Sequence, residues 1–376
     1  MTTHAVRLDV AGATATVLST DKAVTDWTDR YFGQWWNATE VKPESICTGP
    51  VVIASVNRDR YDDAALAVTQ APNTSTEYAK AQLLVTRDVS EGVIRAVCPE
   101  QQLAYRSEPG RGQLHIIGCD TEAVATATAR LAREVVRGIL LRDGWSVLHA
   151  SAVVDHDGRT LLTLGDKGAG KTSTALALAA MHGLRLLAND RVFVRPDEDD
   201  CVDVLPWPSA AAIGLGLLEA LNWFEVVRER LRGGEQLHPT QHERVTAALL
   251  AGDRTPLWAK NKELKTQVFP DQFERWFSVP LAAGGEAAAL IFPHVEAGTA
   301  PAEENAVRTL EQGDFMSGET EDRYPDVFGL VGMDGGGSDR ARQEVTRRLA
   351  ALPHHVVVLG HDVTANADFL AKLVGV

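Results

Sequence analysis

The pattern of hydrophobic and polar positions divides the chain into an N-terminal part and a C-terminal part. In the N-terminal part, short apolar or alternating runs between turn residues predict strands over residues 6–10, 51–56, 92–97 and 113–117. Apolar residues at helical spacing then predict a helix over residues 122–141, capped by Asp120 or Thr121. We therefore expect an α+β accessory domain over residues 1–143 and a second domain over residues 144–376.

In the C-terminal part, strands alternate with helices, which is typical of an α/β domain. The polar turn at 155–158 folds a strand over 145–154 back as a hairpin onto an apolar strand over 159–164. A helix over 173–181 and a strand over 184–190 follow. The remaining predictions are helices over 213–232, 340–350 and 365–374, a polar loop with a second helix over 235–250, and a strand over 355–359.

The segment 298–340 breaks this alternation, because it mixes acidic residues with Gly and Pro and shows no periodicity. A loop of that length within a compact domain is either a lid or a disordered segment. The part over 314–338 could exclude water by closing over a site, and solvated disorder is the alternative.

A glycine-rich motif lies between the strand 159–164 and the helix 173–181. Residues 165–172 fit G-x-x-x-x-G-K-[ST]. In this motif backbone N–H groups wrap the phosphates, the lysine reaches the β- and γ-phosphates, and the hydroxyl ligates Mg²⁺. We therefore expect a site for ATP or GTP with Mg²⁺. The predicted nucleotide-binding residues are Gly165, Asp166, Lys167, Gly168, Ala169, Gly170, Lys171, Thr172 and Ser173.

An apolar strand that ends in Asp190 follows the helix after this motif. A carboxylate at a strand end often only starts a turn. Here the strand comes directly after the loop helix, and a rigid element that holds one carboxylate beside Mg²⁺ and the γ-phosphate suits nucleotide chemistry. We therefore expect Thr172 and Asp190 to be the metal ligands.

Composition narrows the class of protein. The chain has 376 residues with 45% hydrophobic content, so it can bury a large core. Its net charge of −14 makes nucleic acid and anionic membrane surfaces poor partners. The four cysteines are widely spaced, which predicts free thiols in a reducing compartment. The N-terminus lacks the pattern of a signal peptide, so we expect a cytoplasmic protein.

Three segments in order carry a resemblance to a known family. Residues 148–154 (LHASAVV), the motif at 165–172 and residues 184–192 (LRLLANDRV) have the order and spacing of a hairpin, a phosphate loop and a following strand. The region from about Trp145 to Phe193 therefore resembles the catalytic domain of HPr kinase/phosphorylase, the bacterial kinase of a phosphocarrier serine. The stretch 211–218 is only vaguely similar to diverged relatives of that kinase, and the N-terminal residues match no family that we can name.

The resemblance implies an HPr kinase-like P-loop domain with a mixed central sheet. It implies that Lys171 contacts the β- and γ-phosphates, that Thr172 ligates Mg²⁺ and that Asp190 is the general base. It also implies that His149 lies close to the transferring phosphoryl group. A histidine on a strand is otherwise most often a hydrogen-bonded core residue.

The chain departs from the family at three points. Asn189 replaces the first Asp of the family's pair, Ser173 stands where the family has Glu, and the later Glu-x-Arg-Gly signature has no match. We therefore expect a kinase that has lost the carrier-protein substrate and the reverse phosphorolysis.

These features together predict an ATP-dependent phosphotransferase with an alcohol acceptor. Since diverged relatives of this family are tailoring enzymes, we expect a role in a natural-product pathway, with a nucleoside- or sugar-like molecule or a peptide as acceptor. The alternatives are a serine kinase of a carrier protein, a nucleotide-gated binding protein and a simple NTP hydrolase. The sequence does not distinguish a homo-oligomer from a monomer. The candidate substrate-binding residues are Arg191, Lys262 and Lys265, the lysines having a solvated surface as their alternative role.

Overall fold

The computed structural model describes residues 2–45, 49–317, 325–333 and 335–376. Two compact units are present: Met1–Trp145 with Met316–Ser338, and Ser146–Phe315 with Asp339–Val376. Cys47 lies outside the described residues, whereas Cys98, Cys119 and Cys201 are free thiols. None of the helices in the described ranges is both long and apolar enough to cross a membrane.

The first unit is built on one mixed sheet. The order of its strands is β3-β1-β2-β4-β9-β8-β7-β6-β5, in which β4 is parallel to both β2 and β9. The strands are β1 (His4–Val10), β2 (Ala13–Ser19), β3 (Thr39–Val41), β4 (Val51–Val56), β5 (Thr74–Tyr78), β6 (Ala81–Asp88), β7 (Val93–Cys98), β8 (Leu103–Glu108) and β9 (Gln113–Gly118). The helices are α1 (Lys22–Phe32), α2 (Arg58–Gln70) and α3 (Thr121–Arg142).

Helix α3 agrees with its prediction, and its cap is Asp120, whose carboxylate accepts the Ala123 N–H at 2.8 Å. The segment 316–338 differs from its predicted place in the second domain. Phe328 packs against Tyr78 and Tyr105, with ring centroids 5.5 and 5.0 Å apart. Its carbonyl oxygen accepts the Ser107 hydroxyl at 2.8 Å. These contacts fix residues 325–333 to the first unit.

The second unit also has a mixed sheet, ordered β10-β14-β15-β20-β12-β11-β13, with β22 parallel to β20. Its strands are β10 (Ser146–Leu148), β11 (Ser151–Val154), β12 (Arg159–Thr163), β13 (Arg185–Ala188), β14 (Val192–Pro196), β15 (Val202–Pro206), β16 (Ala211–Ile213), β17 (Leu257–Ala259), β18 (Lys262–Leu264), β19 (Thr266–Val268), β20 (Gly285–Val295), β21 (Ala302–Glu303) and β22 (His354–Leu359). Its helices are α4 (Lys171–His182), α5 (Leu215–Ala220), α6 (Phe224–Arg232), α7 (Glu243–Ala251), α8 (Pro270–Phe277), α9 (Asp339–Leu349) and α10 (Val363–Val374).

Both faces of this sheet are buried. On β12, Leu161 belongs to the apolar cluster that contains α4 and α10, while the next residue, Leu162, belongs to the cluster that contains Val345 of α9. Because adjacent strand residues point to opposite faces, helices cover the sheet on both sides. The α/β class with a mixed sheet agrees with the prediction.

Two elements that were predicted to be continuous are interrupted in the structure. The strand over 145–154 is interrupted at His149, so that β10 pairs with β14 while β11 pairs with β12 and β13. The single helix predicted over 213–232 is instead two helices, α5 and α6, and its first residue is the last residue of β16. Asn222 has a φ of 60° between these helices, a left-handed conformation that ends helical hydrogen bonding.

The segment 298–317, left open as a lid or as disorder, has defined structure in its described residues. Strand β21 pairs with β22, and Phe315 is buried and bridges to Leu148. The 3-10 turn at Gln312–Asp314 lies immediately before that bridge. This part of the chain therefore packs against the second unit's sheet.

Candidate nucleotide site

The glycine-rich motif forms the connection between β12 and α4. Gly168 has a φ of 92° and Gly170 a φ of 101°, which residues with a Cβ rarely adopt. A Cβ on Gly170 would also lie 2.9 Å from Cγ2 of Val295. The backbone path of the loop therefore requires glycine at these positions. Helix α4 begins directly after it, so its first N–H groups and its dipole favour an anion at the loop.

Lys171 is the first residue of α4, and its side chain folds back on the loop. Its Nζ donates to the carbonyl oxygens of Gly165 at 2.6 Å and of Asp166 at 3.1 Å. Burial lowers the pKa of Lys171, and the nearby carboxylates of Asp190, Asp166 and Asp314 oppose that shift. The ammonium therefore donates to carbonyl oxygens of the loop itself, and carboxylates from distant parts of the chain favour its charged form.

The residues after β13 connect this strand to the start of α4. The carbonyl oxygen of Asn189 accepts the hydroxyl groups of Thr172 at 3.1 Å and of Ser151 at 2.7 Å. The Asn189 side chain is buried, and its Oδ1 accepts the Ser209 hydroxyl at 3.3 Å. A neutral amide suits this position, because a buried carboxylate would carry a desolvation cost.

Asp190 points away from this buried position. Its side chain is 49% exposed, and its Oδ2 lies 2.9 Å from Nη1 of Arg191. The Arg191 guanidinium also lies over the Trp207 ring, 5.6 Å from the centroid. The structure therefore places Arg191, a candidate substrate-binding residue, directly on the candidate base.

His149 lies at the break between β10 and β11. Its backbone N–H donates to the carbonyl oxygen of Asp314 at 2.8 Å. Burial, with Arg191 and Lys171 nearby, lowers the pKa of the imidazole to about 4, although Asp190 and Asp314 act in the opposite direction. The ring is therefore neutral at pH 7, so it can exchange a hydrogen bond without adding charge to the site.

Two further charged residues belong to this group, and the sequence analysis did not identify them as a pair. Arg308 donates to both carboxylate oxygens of Asp314, at 2.8 and 3.2 Å, and lies 4.5 Å from the Phe292 ring centroid. Asp314 is buried, and both residues act on the pKa of Lys171. We call the following residues the charged cluster: His149, Lys171, Asp190, Arg191, Arg308 and Asp314.

A cleft of about 210 Å³ opens beside the start of α4. Its lining includes Thr172, Ser173, Gly214, Pro256, Glu263 and Lys265. Of the two lysines predicted to bind substrate, Lys265 lies in the cleft, whereas Lys262 belongs to the exposed part of the β17–β18 hairpin. The sequence indicated the charge of these lysines but not which of them faces the loop.

The metal question depends on Thr172 and Asp190. Among the described residues there is no group of three or more His, Cys, Asp or Glu side chains that could hold a metal alone. This donor set nevertheless fits Mg²⁺, which is commonly held by one or two carboxylates together with substrate phosphates and water. Thr172 and the exposed carboxylate of Asp190 are the protein groups that could complete such a sphere.

Comparison of the sequence with family models and with curated proteins gives no relative. No protein-family model matches the chain, and a search of curated proteins finds no significantly similar sequence. The interpretation of the site therefore depends on the geometry of its own residues.

Proposed function

We propose that the second unit is an ATP-dependent phosphotransferase that transfers the γ-phosphoryl group to a hydroxyl of a small molecule or a peptide. The observation that carries this proposal is the combination of a complete phosphate loop with a half-exposed carboxylate, Asp190, which directly follows the Asn189 carbonyl oxygen that accepts the Thr172 hydroxyl of the loop. A loop alone supports nucleotide binding. A carboxylate at the γ-phosphate end adds a group that can take a proton from an acceptor.

The residues divide the work as follows. The loop N–H groups and Lys171 hold the β- and γ-phosphates, and Arg191 and Arg308 supply positive charge against the transferring group. Asp190 accepts the proton of the acceptor hydroxyl while the hydroxyl oxygen forms the new bond to the γ-phosphorus. The bond from that phosphorus to the β–γ bridging oxygen breaks, and ADP leaves. Bound Mg²⁺ would neutralise charge on the phosphate oxygens, with Thr172 and Asp190 as its protein ligands.

The central experiment incubates the full chain with Mg²⁺-ATP and a panel of nucleosides, sugars and serine peptides. Phosphorylated product is measured by mass spectrometry, and ATP affinity by calorimetry. For Asp190→Asn we expect ATP affinity within about threefold of wild type, and transfer slower by roughly 10³- to 10⁴-fold, as for loss of a general base.

A matched control is Asp203→Asn. Asp203 is also partly exposed and paired with an arginine, Arg195, but it lies within β15. This variant should retain transfer. Wild-type protein that binds ATP but phosphorylates no acceptor would contradict the kinase and favour a nucleotide-gated binding protein. Release of inorganic phosphate without an acceptor, unchanged in Asp190→Asn, would favour a hydrolase.

A further inference from the structure

The cleft and the charged cluster involve different residues at the start of α4. Lys171, whose ammonium reaches the β- and γ-phosphates in such loops, belongs to the charged cluster. The cleft is lined instead by Thr172 and Ser173, the next residues of α4. If Lys171 marks the side of the γ-phosphate, the cleft, whose lining contains no member of the charged cluster, is left for the sugar and the base.

The β17–β18 hairpin forms one wall of this cleft. Leu257 pairs with Leu264, and Trp258 pairs with Glu263. Directly opposite residues of an antiparallel pair share a face, and the faces alternate along each strand. Leu257 and Leu264 pack against the apolar core, so Trp258 and Glu263 share the other face.

That second face is the one that lines the cleft. Pro256, Glu263 and Lys265 all line it, at the alternating positions that Trp258 shares. The Trp258 side chain is 59% exposed. A large exposed indole directly opposite Glu263, on the same face of the hairpin, offers a flat surface on which an aromatic base can stack.

Gly214 allows Glu263 to approach the cleft. A Cβ at position 214 would lie 2.4 Å from Oε1 of Glu263, so the carboxylate occupies the space that a side chain would take. The Glu263 carboxylate lies 3.8 Å from the Lys265 ammonium, and both side chains are partly exposed. A carboxylate in this place can accept hydrogen bonds from sugar hydroxyl groups, as acidic residues do in other nucleotide sites.

We propose that the cleft holds the nucleoside half of the nucleotide, with Trp258 as the stacking surface for the base and Glu263 as the acceptor for the ribose hydroxyl groups. Lys265 supplies positive charge where the α-phosphate meets the ribose. The inference rests on the proposed nucleotide-dependent function, and it assigns the cleft to the phosphate donor and not to the acceptor.

The first test separates the nucleoside from the phosphates. The full chain is titrated calorimetrically with Mg²⁺-ATP and with Mg²⁺-tripolyphosphate. Trp258→Ala should weaken ATP binding about tenfold, as expected for loss of one stacked base, and leave tripolyphosphate binding within about twofold. Leu250→Ala, which removes another exposed apolar side chain, should change neither. Unchanged ATP affinity, or an equal loss for both ligands, would overturn the inference.

The second test addresses the ribose contact. Wild type should bind ATP about tenfold more tightly than 2′,3′-dideoxy-ATP, and Glu263→Gln should remove most of this preference, because a charged hydrogen bond is lost. Glu229→Gln, an exposed glutamate on α6, should keep the preference. A Glu263→Gln variant that distinguishes the two nucleotides as well as wild type does would rule out this contact.

Failure of the inference and failure of the proposed function give different results. If Trp258→Ala loses affinity for ATP selectively, the cleft assignment stands even where no acceptor is phosphorylated. If the variant instead binds ATP normally and raises the KM for an acceptor, the cleft is an acceptor site and the inference is wrong. Wild-type protein that binds neither ATP nor tripolyphosphate would remove the basis of both.

Discussion

The charged cluster and the cleft, both next to the phosphate loop, differ in how their side chains are held. In the charged cluster, Asp190 forms an ion pair with Arg191, and Asp314 accepts two hydrogen bonds from Arg308. In the cleft, Glu263 and Lys265 form only a long, partly exposed pair, and Trp258 on the same face of the hairpin is largely exposed. A fixed arrangement of charge suits a transition state, whereas an open cleft suits a ligand that must enter and leave.

The largest effect on turnover should come from Lys171, the residue of the charged cluster that reaches the phosphates. Lys171→Ala removes the ammonium that now donates to Gly165 and Asp166. We expect turnover to fall by roughly 10³-fold or more, because charge on the β- and γ-phosphates is no longer neutralised. Product formation at saturating ATP measures this loss. As a control, Lys167→Ala removes a loop lysine outside the charged cluster and should cost much less.

The next effect tests whether Arg308 acts on the reaction or only on the fold. Arg308→Ala should lower kcat by about 10²-fold and change the affinity for ATP little, as for loss of one charged donor. Arg308→Lys keeps the charge but not the two-pronged contact with Asp314, so it should recover only part of kcat. Thermal unfolding of each variant provides the control, and a kcat that follows stability alone would contradict the role.

A smaller effect is expected in the cleft. Gly214→Ala places a Cβ where Oε1 of Glu263 lies, and the flexible carboxylate can move aside at little cost to folding. We expect ATP to bind about five- to tenfold more weakly, with kcat nearly unchanged at saturation. Gly110→Ala is the control, since a Cβ there meets no atom within 4 Å and the residue does not line the cleft. Equal behaviour of the two variants would show that the position of Glu263 is unimportant.

The smallest effect concerns pH. His149 has a pKa of about 4 in the folded chain, below the ordinary value of 6.5, so the unfolded chain binds its proton first as the pH falls. The stability contributed by the neutral ring is therefore present above pH 6.5 and is lost as the pH falls towards 4. Denaturant titrations should show that His149→Asn loses on the order of 1 kcal/mol less than wild type over this interval. Identical slopes for both proteins would contradict the buried, neutral imidazole.

The sequence predicted the features of the fold and of the site that depend on local motifs. The loop, α4 and the strand before Asp190 were predictable because a phosphate loop is a local motif whose glycines and flanking periodicity lie together in sequence. The HPr kinase-like identity of the fold and the kinase activity stay predictions. The break at His149 was missed because its apolar neighbours read as one strand, although the two halves pair with different partners.

Long-range contacts and very short elements account for the rest. Nothing local to Asp314 indicates that its carbonyl oxygen would accept the backbone N–H of His149. The face of the β17–β18 hairpin could not be assigned, since strands of three residues show too little alternation. The place of 325–333 beside Tyr78 likewise depends on aromatic packing between distant parts of the chain.

The hydroxyl of Thr172 has a single hydrogen, and the hydrogen bond to the carbonyl oxygen of Asn189 uses it. Only the lone pairs of the hydroxyl oxygen then remain to face outward. The Thr172 hydroxyl is therefore oriented to bind a cation before any ligand arrives. Because a main-chain oxygen imposes that orientation, no side-chain replacement at position 189 can abolish it directly. Aspartate or asparagine at position 189 would therefore leave the orientation of the Thr172 hydroxyl unaltered.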